Sequence, residues 1–274
     1  EVSIADASEM ASQIEVAVEQ AVDREVWERS KKMETRIHDQ LVQGGFHLAF
    51  EEFVADLVAL KAGILKGPVV RNHVALQWKP TEEGTFSPVI SDELRPEIYR
   101  VSPMDFYPDP DSADMDEGNI VEEYDISRAE LTVLRDMDES GYDSKAIDKV
   151  LEEFDKIPDA SFTSEERARA ELEGKSTGTI GSGSDDAGDL RSSRRAREFW
   201  VSVQGKTLRE HGRTRDDAGN PLIDLDEYEI NAIMIERQLI FLDFNPDPLN
   251  RRPYFSTGWS RVPGSFWHKG VPKR

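Results

Sequence analysis

Phe46, Phe50, Phe53, Leu57, Leu60 and Ile64 recur at spacings of 4, 3, 4, 3 and 4. Only an α-helix brings residues at that spacing onto one face. A second stripe precedes it, formed by Ile14, Val18, Val22, Val26, Met33, Ile37 and Leu41 at spacings of about 4 and 7. Gly44-Gly45 separates the two stripes. The expectation over 1–66 is therefore a hairpin of packed helices. At Gly67-Pro68 the pattern changes, and the pair is expected to end the second helix.

Val69, Val70, Val74, Leu76 and Trp78 favour strand. "TFSPVISDE" and "PEIYRVSP" are expected as partner strands, with Pro80, Pro88 and Pro96 at turns or edges. This β-rich region runs over 67–126 and ends in the loop "MDFYPDPDSADMDEGN". Short helices follow over 127–173. Ser127 with Glu130 three residues on forms a capping box, Asp143 or Ser144 caps a second helix, and a third is expected near Ser164 to Leu172. The Gly/Ser/Asp-rich stretch at 174–190 reads as a flexible linker. Strand patterns return over 191–274. "REFWVSVQGK" alternates around Phe199, Val201 and Val203, two strands reverse near Glu236-Arg237, and one more lies in "NPDPLNRRPYFSTGW". Helices, strands, helices, linker and strands in that order predict an α+β fold, with long N-terminal helices packed on a mixed or antiparallel β region.

Charge is distributed unevenly. The chain of 274 residues carries a formal net charge of −21. From Asp105 to Glu166 there are 21 acids against 5 bases; from Arg191 to Arg215 there are 8 bases against 2 acids; from Arg251 to Arg274 there are 6 bases and no acid. Such asymmetry marks solvated faces, or subunits that meet with opposite signs. General nucleic-acid affinity fits poorly, because phosphate repels so acidic a chain. No stretch of 18 uncharged apolar residues exists, so no membrane partner is expected. The chain opens on Glu1 without the basic and apolar regions of a secretory leader. There is no cysteine, which excludes disulfides and thiol chemistry and favours a reducing compartment.

Catalytic patterns are weak. "GKST" at Gly174 to Thr177 imitates the end of a phosphate-binding loop, but Arg169 stands where that loop needs glycine. Asp105, Asp109, Asp111 and Asp114 offer carboxylates for a metal-dependent nuclease or hydrolase. A calcium-loop frame begun at Asp109 fails, since Asp114 occupies the required glycine position. His38, His47, His73, His211 and His268 show no paired ligand spacing, and no nucleophile elbow is present. The reading is a non-enzyme without a cofactor; the metal-dependent hydrolase is the alternative.

Three stretches in order carry a resemblance. The first is "KMETRIHDQLVQGGFHLAFEEFVADLVALKAGILKGPVV", which holds Gly67 and Pro68. The second is "YRVSPMDFYPDPDSADMDEGNIVEEYDISRAEL", which holds Pro108, Asp109 and Pro110. The third is "FLDFNPDPLNRRPYFSTGWSRVPGSFWHKGVPK", which holds Arg251, Arg252, Pro263, Gly264, Trp267, Gly270 and Pro272. Together they resemble the portal proteins of tailed bacteriophages, of the podovirus-like kind. The resemblance implies a homo-oligomeric ring, usually of twelve subunits, at one capsid vertex. Double-stranded phage DNA passes through such a channel without specific binding. The terminase, the adaptor and tail proteins, and capsid or scaffolding proteins are the implied partners. The implied location is the virion, with host cytoplasm during assembly. Another head–tail connector or minor capsid protein is a further alternative. The turns at Pro263-Gly264 and Gly270-Pro272 are expected to lead into a stem helix beyond the chain, so that this portion is mainly the wing. Trp259, Phe266 and Trp267 read as core or subunit-interface anchors rather than DNA-stacking groups.

Overall fold

The computed structural model describes residues 4–60, 62–80, 86–137, 141–154, 193–216 and 219–270. The architecture is α+β and divides into two compact units. One holds the chain up to Glu52 together with Leu65–Arg100; the other holds Phe53–Ile64 and the chain from Val101 onward.

The first unit begins with α1, Ile4–Gln43, and the Gly44-Gly45 joint leads into α2, Phe46–Ala59. Gly45 supplies the positive φ of 76° that the joint requires. The joint packs on a strand rather than on a second helix. Two long strands, β1 (Gly63–Pro80) and β2 (Phe86–Val101), lie side by side. The Ile98 N–H donates to the Gly44 carbonyl at 2.9 Å. A Cβ at Gly44 would stand 2.3 Å from the Pro96 carbonyl oxygen, so only glycine permits this approach.

Three expectations are corrected here. The second helix does not reach Gly67-Pro68. It stops at Ala59, and Ile64, Gly67 and Pro68 all lie on β1. Ile64 extends the helical spacing by coincidence, but its side chain is fully buried as part of a strand, so tertiary burial overrides local periodicity. The helices do not form a packed hairpin, because residues 18–40 of α1 are exposed throughout. The segments around Pro88 and Pro96 are one strand; β2 is an edge strand, where missing N–H donors are tolerated.

The second unit is built on a five-stranded antiparallel sheet in the order β3 (Phe106–Pro108), β4 (Ile120–Ser127), β5 (Ser193–Gln204), β6 (Glu227–Ile235), β7 (Gln238–Phe244). The reversal at Glu236-Arg237 forms as expected, with Glu236 at φ 55°. Two helices cover one end of one face: α3 (Arg128–Asp136) and α4 (Ser144–Phe154). Ser127 accepts from the Glu130 N–H at 3.2 Å and Glu130 accepts from the Ser127 N–H at 2.7 Å, which completes the capping box. Asp143 accepts from the N–H groups of Lys145 and Ala146 and so caps α4. Leu131, Ile147, Ile235 and Ile240 are fully buried between helices and sheet, along with Ile126, Ala196, Val150 and Ile233. Each of the Leu, Ile and Val side chains stabilises the unit by roughly 1.5–3 kcal/mol, and Ala196 by less.

The opposite face holds Phe199, Val201, Ile230, Ala232 and Leu242 under Leu208 and Leu222. Leu208 comes from a short helix, α5 (Gly205–Glu210), that the sequence reading did not anticipate. A short strand, β8 (Tyr254–Thr257), begins the basic C-terminal ribbon. The expected helix near Ser164 to Leu172, the "GKST" segment, the linker at 174–190 and Pro272 lie outside the described residues.

Candidate functional site

The period of two along a strand puts Ile120, Glu122 and Tyr124 on one face of β4, and Ala196, Glu198 and Trp200 on the same face of β5. Glu122 and Glu198 are direct cross-strand partners, both buried. Like charges in that position repel. The structure surrounds them with donors. The Tyr254 hydroxyl donates to Glu122 Oε2 at 2.6 Å. Trp200 Nε1 and Asn231 Nδ2 donate to Glu198 Oε1 at 2.8 and 3.3 Å.

Arg252 extends the same layer. Its Nε donates to Glu229 Oε1 at 2.7 Å, with side chains only 4% and 12% exposed. Its Nη1 donates to the Met115 carbonyl at 3.0 Å, and its backbone N–H to Asp116 Oδ1 at 3.5 Å. The basic ribbon is thus fastened to the acidic loop within one chain. Tyr254 and Trp200, which donate to the carboxylates, belong to a cluster of aromatic rings. Phe106 meets Tyr254 at 5.3 Å and Phe266 at 5.7 Å between centroids, and Trp200 meets Tyr254 edge-on at 6.3 Å. Trp267 stands edge-on to Phe266, half-buried, whereas Trp259 is exposed.

The other face of the same strands pairs acidic and basic stretches a second time. Arg197 Nε lies 2.7 Å from Glu123 Oε1, and Arg195 reaches Glu123 at 3.2 Å and Asp125 at 3.7 Å. Arg251, unlike its neighbour Arg252, is exposed and pairs with Asp247 at 2.7 Å. The hydrogen bond from Arg251, aided by the Leu249 N–H, holds the Asp247 carboxyl below its ordinary value, and Asp247 in turn raises the Arg251 guanidinium.

Two of the four aspartates of the hydrolase alternative, Asp109 and Asp114, accept from backbone N–H groups of the loop. Asp109 Oδ1 accepts from the Asp111 N–H at 3.1 Å, and Asp114 Oδ1 from the Met115 N–H at 2.8 Å. Asp105 lies 4.0 Å from Arg195 Nη1. Among the described residues no three His, Asp or Glu side chains form a group that could hold a metal ion. The loop's shape depends on Gly118, at φ 68°, where a Cβ would fall 2.5 Å from Asp109 Cβ. Pro108 ends β3 and Pro110 stands exposed in the turn that follows.

Other named positions have local roles. Gly67, at φ 140°, leaves no room for a Cβ, which would stand 2.5 Å from the Glu97 carbonyl oxygen; its peptide to Pro68 is cis. Pro263-Gly264 is a turn, with Gly264 at φ 73° and the Ser265 N–H donating to the Val262 carbonyl at 3.3 Å. Gly270 follows the bridge between Ser260 and Lys269. The sequence reading did not name Glu122, Glu198, Glu229, Asn231 or Tyr254. A signal existed: Glu198 falls between Ala196 and Trp200 at the period of a buried face. Among the described residues no helix is long and apolar enough to cross a membrane. A scan against protein-family models matches none, and a search of curated proteins finds no match.

Proposed function

We propose that this chain is a non-catalytic structural subunit of the portal kind, built to join a ring at a capsid vertex through which double-stranded DNA passes. One observation carries the reading. The second and third stretches that resemble portal proteins lie more than a hundred residues apart, yet pack as one buried cluster through Arg252–Met115, Tyr254–Glu122 and Phe106–Phe266. The second and third of the resembling stretches therefore belong to one structural unit, which supports the reading. The buried carboxylates also fit a structural role, because Glu122 and Glu198 are only 4% and 6% exposed and accept hydrogen bonds from Tyr254, Trp200 and Asn231. In this reading a net negative wall would let DNA slide without sticking, and motor, tail and capsid proteins are the outer partners.

Native mass spectrometry of this chain and of its longest natural form tests the proposal. A closed assembly of roughly a dozen copies in the longest form is expected, as cyclic symmetry allows. A longest form that stays monomeric or dimeric across salt and concentration overturns it. Heat on titration with Mg²⁺ or Mn²⁺, abolished by Asp109→Ala, would favour the hydrolase instead.

A further inference from the structure

Helix α1 carries an apolar stripe that no described residue covers from Val18 to Ile37. Val18, Val22, Val26, Met33 and Ile37 are each about half exposed or more, at 57, 52, 60, 63 and 49%. With Leu41 they fall in an arc of about 140° and run some 35 Å along the helix, from 1.5 Å of rise and 100° of turn per residue. An amphipathic helix of this kind normally owes its stability to packing along that stripe.

The stripe has a centre of symmetry. Val18 and Leu41, Val22 and Ile37, and Val26 and Met33 are equidistant from the point between Arg29 and Ser30. The halves differ in size and sign. The first offers three valines, with Glu19, Asp23, Glu25 and Glu28 against Arg24 and Arg29. The second offers Met33, Ile37 and Leu41, with Lys31, Lys32 and Arg36 against Glu34 and Asp39.

We propose that α1 pairs with α1 of a second copy of this chain, antiparallel, about a two-fold axis between Arg29 and Ser30. Each layer then sets a valine against a larger side chain, so the layers have even volume. A parallel pair would leave one half thin and the other crowded. The antiparallel pair also lays the acidic half on the basic half, whereas a parallel pair would lay like on like. Along one flank Glu25 falls between Lys32 and Arg36 of the other copy. Arg29 meets its own copy near the axis, and its charge is already balanced by Glu25 on the same helix at 2.5 Å. Glu34, on the other flank, is balanced by Lys31 at 2.7 Å. A two-fold contact closes on two copies and does not by itself generate a ring, so this contact is separate from the ring contacts of the portal reading.

The absence of cysteine makes the test direct. Chains carrying Val22→Cys and Ile37→Cys are oxidised singly and as a mixture, with the helix checked by circular dichroism. The mixture is expected to give the cross-linked heterodimer, while Val22→Cys alone stays uncross-linked. Sedimentation of the unaltered full chain is expected to show a dimer. Met33→Lys, at a position already exposed in one chain, is expected to weaken it at least tenfold without loss of helix. Cross-linking of Val22→Cys to itself would indicate a parallel pair and overturn the proposal. So would a monomer at every concentration, or a Met33→Lys chain that dimerises as before. Ring formation by Met33→Lys chains that no longer pair through α1 would support a contact separate from the ring contacts of the portal reading.

Discussion

Removing Arg252 should damage the second unit more than any other single charge there. The side chain is 4% exposed and pairs with Glu229 at 2.7 Å. Arg252→Met leaves the Glu229 carboxylate, only 12% exposed, without that guanidinium and deletes the bond to the Met115 carbonyl. Breaking one side of a buried ion pair costs about 3–5 kcal/mol. A domain of this size loses about 2–4 °C in Tm per kcal/mol, so a fall near 10 °C is expected. Urea unfolding followed by tryptophan fluorescence is the assay, since Trp200 touches Tyr254 in the same cluster. Arg252→Lys keeps the charge but not the fork, and is expected to cost about 1–3 kcal/mol, the range for a lost bond to a charged donor. The double change Arg252→Met with Glu229→Leu removes both charges and should recover much of the loss, because apolar replacement of buried pairs is often neutral or better. A single Arg252→Met change costing under about 1 kcal/mol, or a double change costing the sum of its parts, would refute the idea that the buried pair fastens ribbon to loop.

Three further outcomes are expected. Ser127→Ala removes the cap of α3 and should lower stability by about 1 kcal/mol in chemical denaturation, with Glu130→Ala less than additive to it. Gly118→Ala should destabilise by at least about 1–2 kcal/mol, the left-handed penalty alone, because its Cβ also meets Asp109; thermal melting reads this directly. Asp247 has a folded pKa below its ordinary value of 3.8. Its stabilising contribution is therefore present above that value and is lost as pH falls through the lower folded one. Carboxyl NMR titration should show the Asp247 transition moving up in Arg251→Gln, and no movement would count against the pairing.

Much of the fold was legible because period and capping are local. The capping box at Ser127, the cap at Asp143, the alternation of β5 and the reversal at Glu236-Arg237 all follow from neighbours in sequence. The failures have a common cause, which is tertiary burial. Ile64 continues a helical stripe on paper, but its full burial is a property of the strand on which it lies. The segments around Pro88 and Pro96 read as two partner strands but form one, while the edge position expected for the prolines is the one they take. Helix α5 has no strong pattern of its own and is fixed by Leu208 packing on the sheet. The buried carboxylates escaped notice because Glu122 and Glu198 meet only once β4 and β5 pair, some 76 positions apart in the chain. Of the positions carried by the resemblance, Arg252 and Gly67 prove to be tightly built in, while Arg251 and Pro110 stand at the surface.

The pairing of charge inside the chain also bears on how copies could meet. The uneven signs of the sequence invite the idea that the acidic region of one subunit receives the basic strips of the next. The structure uses many of those groups at home. Arg195 and Arg197 lie against Glu123, and Arg252 is fastened to Glu229 and the Met115 carbonyl. Separating these pairs to serve a neighbour would cost more than an exposed replacement returns, since surface ion pairs are worth about 0–1 kcal/mol. Contacts between copies are therefore better sought in apolar surface that the described residues leave uncovered. The stripe of α1 is such a surface, with charge of both signs already arranged along it. Charge in this protein acts mainly within one chain; in the proposed α1 pair it would set orientation, while burial would supply the adhesion.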